Sequence, residues 1–258
     1  MILRGRGISR GRAGGKIILS SSPVSFLGDV APSTGVLTDK AFNGQSIKGA
    51  VFAFPCGKGS TVGSYVLLEM ERVGTLPAAI INSSVEPIVA TGAVMSGVPL
   101  VDHIDLELLR PGDTCVVDGT AGTVELPDVR EIEVVTCFLR HGEDILVLKR
   151  SDKVGTFQRH WAGVSGHIED GDTAQETALK EIREELSIDD PELIASAPTM
   201  RVRDGNVIWT IHPFLFQARE RQVQLDWEHT EHKWVRPEQL DELRTVPGLD
   251  RALRSLIS

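Results

Sequence analysis

Two short stretches carry side chains whose types and spacing suit chemistry. The first, Pro55-Cys56-Gly57-Lys58-Gly59-Ser60-Thr61-Val62-Gly63-Ser64, surrounds one lysine with glycines and hydroxyls. It is not a Walker loop, in which lysine follows the second glycine, because here Lys58 precedes Gly59. A glycine-rich turn that delivers Ser60 to a helix N-terminus offers free amides and a positive dipole end. Those features stabilise a phosphate, a carboxylate or the serine alkoxide. The same placement suits Ser60 as a plain helix N-cap, and the spacing alone leaves both readings open. The second stretch holds Glu181, Glu184 and Glu185, whose i, i+3, i+4 spacing confines three carboxylates to about 100° of a helix face. Such a cluster suits a hard cation, Mg²⁺ being held by one or two carboxylates together with substrate phosphates. A solvated acidic face is the plain alternative.

Elements to position both stretches can be read from the pattern. Short apolar runs at 15–19, 50–54, 78–81, 114–117 and 122–126, separated by Gly, Pro and Asp turns, predict strands of a mixed sheet. A helix over 61–73, closed by Gly74, follows the glycine loop. Further on, 133–139 and 144–150 predict a hairpin about His141-Gly142, and 209–217 another strand. Thr173-Ala174-Gln175-Glu176 forms a capping box that starts a helix over 173–186. A last helix is expected from about Pro237. The chain changes character near Leu126-Pro127-Asp128. Residues 1–128 hold 18 of the 25 glycines and no tryptophan, while 129–258 hold all four tryptophans. Net charge divides as −2 and −7. Two domains, 1–128 and 129–258, are therefore expected.

Composition excludes several function classes. A net charge of −9 over 258 residues gives no basic footprint for nucleic acid or an anionic membrane. Cys56, Cys115 and Cys137 are far apart, with no CxxC pair, which argues against a disulfide framework or a self-contained metal cluster and fits a reducing cytoplasm. Arg4, Arg6, Arg10 and Arg12 are followed by no apolar targeting segment and read as a solvated lead-in or a surface for a partner. No run approaches the roughly 18 apolar residues of a membrane span.

The stretch from Gly166 to Ile188 resembles the Nudix box. Gly166 matches its first glycine, Glu181, Glu184 and Glu185 its metal-binding glutamates, and Ile182 and Ile188 its aliphatic positions. Asp172, Lys180 and Ser187 stand where the pattern has Glu, Arg and Gly. Leu146 to Ser151, Trp161-Ala162-Gly163 and the Glu231 to Leu240 region are similar to the same family. The resemblance implies Mg²⁺-dependent hydrolysis of a diphosphate linkage, with Glu228 or Glu231 as a further downstream acid. The cysteine-centred signature of the isomerases of that superfamily is not apparent, so hydrolysis is expected over isomerisation.

In the first half, Ser25 to Asp39, Ala53 to Glu69, Leu76 to Ile81 and Ala90 to Val94 resemble, in order, the swivel domain of the aconitase X family. That resemblance implies a dehydratase small subunit, in which Ser60 is the proton-abstracting base. Lys58, Gly59, Ser25, Ser33 and Thr34 would then line the substrate pocket. An iron–sulfur cluster would be carried by a separate large subunit, the partner in a heterodimer. The implied reaction is dehydration of the small phosphorylated acid (R)-5-phosphomevalonate to trans-anhydromevalonate 5-phosphate, in the archaeal mevalonate pathway. Two alternatives stand beside it: a hydroxyproline-type acid as substrate, and a Nudix-like domain that only binds a ligand or stabilises the complex. The expected fold is α/β and α+β, a swivelling β/α domain followed by a Nudix α/β/α sandwich with a mixed sheet.

Overall fold

The apolar runs of the first half become the centre of an eight-stranded mixed sheet in the computed structural model, which describes residues 1–257. The chain divides into units 1–130 and 131–258. The elements of the first are β1 (Ile2–Arg4), β2 (Arg6–Ser9), β3 (Arg12–Leu19), α1 (Phe26–Asp29), β4 (Val30–Ala31), β5 (Val36–Leu37), β6 (Val51–Phe54), α2 (Gly63–Val73), β7 (Ala79–Asn82), α3 (Pro87–Met95), β8 (Leu100–Asp102), β9 (Thr114–Asp118) and β10 (Thr123–Glu125). Strand order is β1-β10-β9-β3-β6-β7-β8-β2. The stretch β3-β6-β7-β8 is parallel, and the flanking pairs are antiparallel. β6 and β7 are buried at every residue, as strands covered on both faces must be. Phe26, Phe52 and Phe54 meet edge-on or tilted in the core beneath α2 and α3.

Two expectations for this half are corrected. The arginine-rich start is not a lead-in: β1 and β2 pair with β10 and β8, and Leu3 and Ser9 are buried. Arg6 makes a two-pronged ion pair with the fully buried Asp102, at 2.7 and 3.0 Å. The helix after the glycine loop begins at Gly63 rather than Thr61, with Val62 as an N-cap that makes no side-chain hydrogen bond. It ends at Gly74 in the left-handed conformation, as expected.

The second unit contains β11 (Arg130–His141), β12 (Asp144–Arg150), β13 (Trp161–Ala162), α4 (Ala174–Leu186), β14 (Glu192–Ser196), β15 (Met200–Asp204), β16 (Val207–Gln217), β17 (His229–Val235) and α5 (Leu249–Ile257). Its seven-stranded sheet runs β13-β12-β11-β16-β14, with β15 on β16 and β17 on β12. Period-two alternation divides its side chains between two cores. Val135, Cys137, Leu139, Leu146, Leu148, Phe214 and Phe216 face Ala178, Ile182 and Leu186 of α4. Phe138, Ile145, Val147 and Leu215 face Leu249, Ala252, Leu253 and Leu256 of α5. The result is a sheet between two helical layers. The final α-helix starts at Leu249, not near Pro237; residues 237–242 form a 3₁₀ turn, and Pro247-Gly248 interrupts the path between them.

Candidate functional sites

In the first unit, β6 runs out of the core at Phe54 and the chain turns through the glycine loop into α2. Backbone bonds knit this loop to the segment before α1: Val24 N–H donates to Cys56 O at 3.1 Å and Lys58 N–H to Val24 O at 2.9 Å. Gly57 has no room for a side chain, since a Cβ there would overlap the Glu86 carboxylate. Glu86 is fixed in turn by capping α3, accepting from Ile88 N–H at 2.5 Å and Val89 N–H at 2.9 Å. Gly59, at φ +97°, lies over Ser25, whose Oγ would be 3.0 Å from a Cβ. Ser25 itself caps α1, accepting from Gly28 N–H at 3.3 Å.

Ser60 stands exposed two residues before the N-cap of α2. Its Oγ accepts from Val62 N–H at 3.3 Å, and its carbonyl accepts from Gly63 N–H at 2.9 Å. The hydroxyl therefore belongs to the turn and not to the helix cap, so capping does not account for it. Lys58 Nζ lies 3.5 Å from Asp29 Oδ2, an oxygen that also accepts from Ser25 N–H at 2.9 Å. The structure thus gathers Ser25, Asp29, Lys58, Gly59 and Ser60 into one patch, exposed at Lys58, Gly59 and Ser60 and half-buried at Ser25 and Asp29, with the lysine charge already opposed by Asp29. Asp29 was not foreseen from sequence. Ser33 and Thr34 are exposed in the turn between β4 and β5, which is tied elsewhere: Ser46 Oγ–H donates to Thr34 O, and Thr75 Oγ1–H donates to Pro32 O.

In the second unit, the capping box forms as expected, with Thr173 and Glu176 bonding reciprocally. It sets the start of α4 and hence the direction of its acidic side chains. Glu184 is exposed, Glu181 half-buried and Glu185 only 4% exposed. Glu185 Oε1 accepts from Ser165 N–H at 3.2 Å, while its Oε2 is buried with no hydrogen-bond partner. Burial, opposed by the Ser165 bond and reinforced by Glu181, Asp226 and Glu228, pushes the Glu185 carboxyl well above the usual range. Burial, then Glu184 and Glu228, also raises Glu181. Gly166 is glycine because a Cβ would overlap the Glu181 carboxylate.

Glu169, Glu181 and Glu228 line a cleft of about 510 Å³ together with Arg150, Lys153, Phe157, His167, Trp209 and Trp227. Of the two downstream acids considered, Glu228 reaches this cleft. Glu231 instead bonds Lys149 at 2.6 Å across the β12–β17 pairing, which holds its carboxyl below the usual range. Lys180 pairs with Glu169 at 3.4 Å and makes no grip on Glu181. Among the described residues no group of three or more His, Cys, Asp or Glu is closed around a metal position. The donor set nevertheless fits a hard divalent cation: an unpartnered buried carboxylate oxygen, a second carboxylate against Gly166, and a third lining the same cleft. Sequence reasoning missed Ser165, His229 and the aromatic wall; the run Asp226-Trp227-Glu228-His229 beside the downstream acid was the available signal.

Residues 2–126 match the family described as aconitase X swivel domain, and residues 130–256 match the NUDIX domain. The chain belongs to the aconitase X swivel-domain family and carries a Nudix domain after it. The phosphomevalonate dehydratase small subunit of Methanocella arvoryzae is 49% identical over 131 residues, covering 49% of this chain and 99% of that protein. The holo-form crystal structure of Thermococcus kodakaraensis aconitase X is 47% identical, over 49% of this chain and 98% of that one, with a TM-score of 0.48. The crystal structure of a MutT protein from Methanosarcina mazei Go1 is 22% identical, over 49% of this chain and 95% of that one, with a TM-score of 0.43. No helix among the described residues is long and apolar enough to cross a membrane.

Proposed function

We propose that the first unit, taken as residues 1–128, is the small subunit of a cytoplasmic dehydratase that converts (R)-5-phosphomevalonate to trans-anhydromevalonate 5-phosphate. The observation that carries this reading is Ser60, held exposed by a loop knitted to the Ser25 segment, in a chain 49% identical to a protein named for that reaction. Ser60 Oγ, as the alkoxide, accepts the proton from the carbon next to the substrate carboxylate, and the electron pair left behind forms the double bond as hydroxide departs. An iron–sulfur cluster carried by the large subunit would supply the Lewis acid for that departure. Lys58, Gly59 and Ser25 lie at the same patch and contact the acid substrate. Ser33 and Thr34 contribute where the large subunit brings their turn to it. A hydroxyproline-type acid is the competing substrate.

For the second unit, residues 129–258, the reading is a Mg²⁺-dependent diphosphate hydrolase. Glu181 and Glu185, with Glu184 and Glu228, would hold the cation, which when bound neutralises phosphoryl charge and activates water. The aromatic side chains that line the same cleft receive the group attached to the diphosphate, so nucleotide-linked and isoprenoid diphosphates form the panel to test. The full chain should hydrolyse at least one of them with Mg²⁺, and the double variant Glu184→Gln, Glu185→Gln should show background rate only. Equal background rates in both, with no Mg²⁺ binding by calorimetry, would leave the second unit as a binding or complex-stabilising module.

A further inference from the structure

Behind the carboxylate cleft, Glu185 Oε2 and His229 Nε2 are both buried without a hydrogen-bond partner. Buried polar atoms are nearly always paired, so two orphans on neighbouring side chains call for a reason. His229 opens β17, and its side chain is 1% exposed. Its Nδ1 lies 3.1 Å from Asp226 Oδ1 and 3.7 Å from Glu185 Oε2. Asp226 Oδ1 is itself fixed, accepting from Glu228 N–H at 3.0 Å. The ring thus carries one N–H between two carboxylates, bonded to Asp226 and packed against Glu185. The other Glu185 oxygen is pinned by Ser165 N–H. With one oxygen bonded and the imidazole against the other at more than hydrogen-bond distance, the carboxylate has one orientation and free lone pairs on Oε2. An aliphatic side chain would fill this volume without burying an unpaired nitrogen; the histidine adds the Nδ1–H that Asp226 orients.

We infer that Asp226 and His229 are positioning residues, which together hold the Glu185 carboxylate so that Oε2 is kept free for a divalent cation. The inference rests on the cation-binding reading of the second unit. It follows the general pattern in which an outer hydrogen-bonded pair sets the orientation of a ligating group, and loss of such a pair weakens metal binding about 10- to 100-fold.

The test is Mn²⁺ titration of the full chain followed by electron paramagnetic resonance of the free ion, alongside the melting temperature of the metal-free protein. His229→Leu, which keeps volume but removes the donor, should bind Mn²⁺ about 10- to 100-fold more weakly, with metal-free melting unchanged or raised. His229→Asn, whose side-chain N–H falls near the place of Nδ1–H, should recover most of the affinity. Asp226→Asn should weaken binding severalfold and serves if the leucine variant does not fold. Wild-type affinity in the Leu and Asp226→Asn variants, or Asn no better than Leu with melting lowered in both, would overturn the inference. Wild-type protein that binds no Mn²⁺ would overturn the cation-binding reading and the inference with it.

Discussion

The two candidate sites solve opposite problems. The Ser60 patch is exposed and its polar groups are satisfied: Ser60 by Val62, Ser25 by Gly28 and Asp29, Lys58 by Asp29. The Glu181–Glu185 cleft is partly buried, gathers several carboxylates, and holds an unpaired carboxylate oxygen. A satisfied, exposed patch is stable as it stands, which fits the proposed completion of the site by another protein surface. Buried, closely spaced carboxylates are destabilising as they stand, which fits the proposed binding of a small cation. Fold stability should therefore be insensitive to the first site and sensitive to the second.

The largest effect expected is on turnover at the first site. Ser60→Ala should lower dehydration in the assembled complex by about 10²- to 10⁴-fold, the range for loss of a general base. Thermal stability should be nearly unchanged, because the lost hydroxyl only accepts one exposed turn bond. Retained turnover with lowered stability would reverse the comparison.

At the second site the sharper test is pH. Glu185 is raised in the folded state, so its protonated form favours folding, and that contribution is complete below its unfolded value of about 4.3. It is lost as pH rises through the higher folded value, leaving a buried charge. Glu185→Gln should accordingly melt close to wild type in acid and progressively above it as pH rises, without metal. A pH-independent difference in melting temperature would contradict the buried-charge account. The smallest effect expected is at Ser187, which ends α4 in the left-handed conformation at φ 56°, where the Nudix pattern has glycine. Ser187→Gly should stabilise the protein by about 1 kcal/mol, measured by urea unfolding, by relieving that backbone cost.

What the sequence made legible was local. The capping box, the acidic face of α4 and the closing Gly74 are each defined within a few residues, and the structure forms them. What it hid depends on distant pairing. The first strands find partners about a hundred residues away, Ile2 opposite Glu125 and Gly7 opposite Val101, so an arginine-rich start reads as a tail. Helix α3 is apolar nearly all round, burying Val89 and Ala93 but exposing Val94 and Met95, and shows no usable period. The choice between Glu228 and Glu231 is made by strand register, which sets Glu231 opposite Lys149. Asp29, which opposes the Lys58 charge, is brought there by the Val24–Gly57 pairing of two loops. That contact bears on how Ser60 is activated: the nearest cation in sequence is already partnered by Asp29.

The central claim is that the first unit is half of an active site. Its most direct test is dehydratase activity of the purified chain on (R)-5-phosphomevalonate, with and without its cluster-bearing large subunit, mixed anaerobically. The account predicts no activity from the chain alone, activity on mixing, and loss of that activity with Ser60→Ala. Turnover by the chain alone, or a mixed complex that is as active with Ser60→Ala as without it, would contradict it.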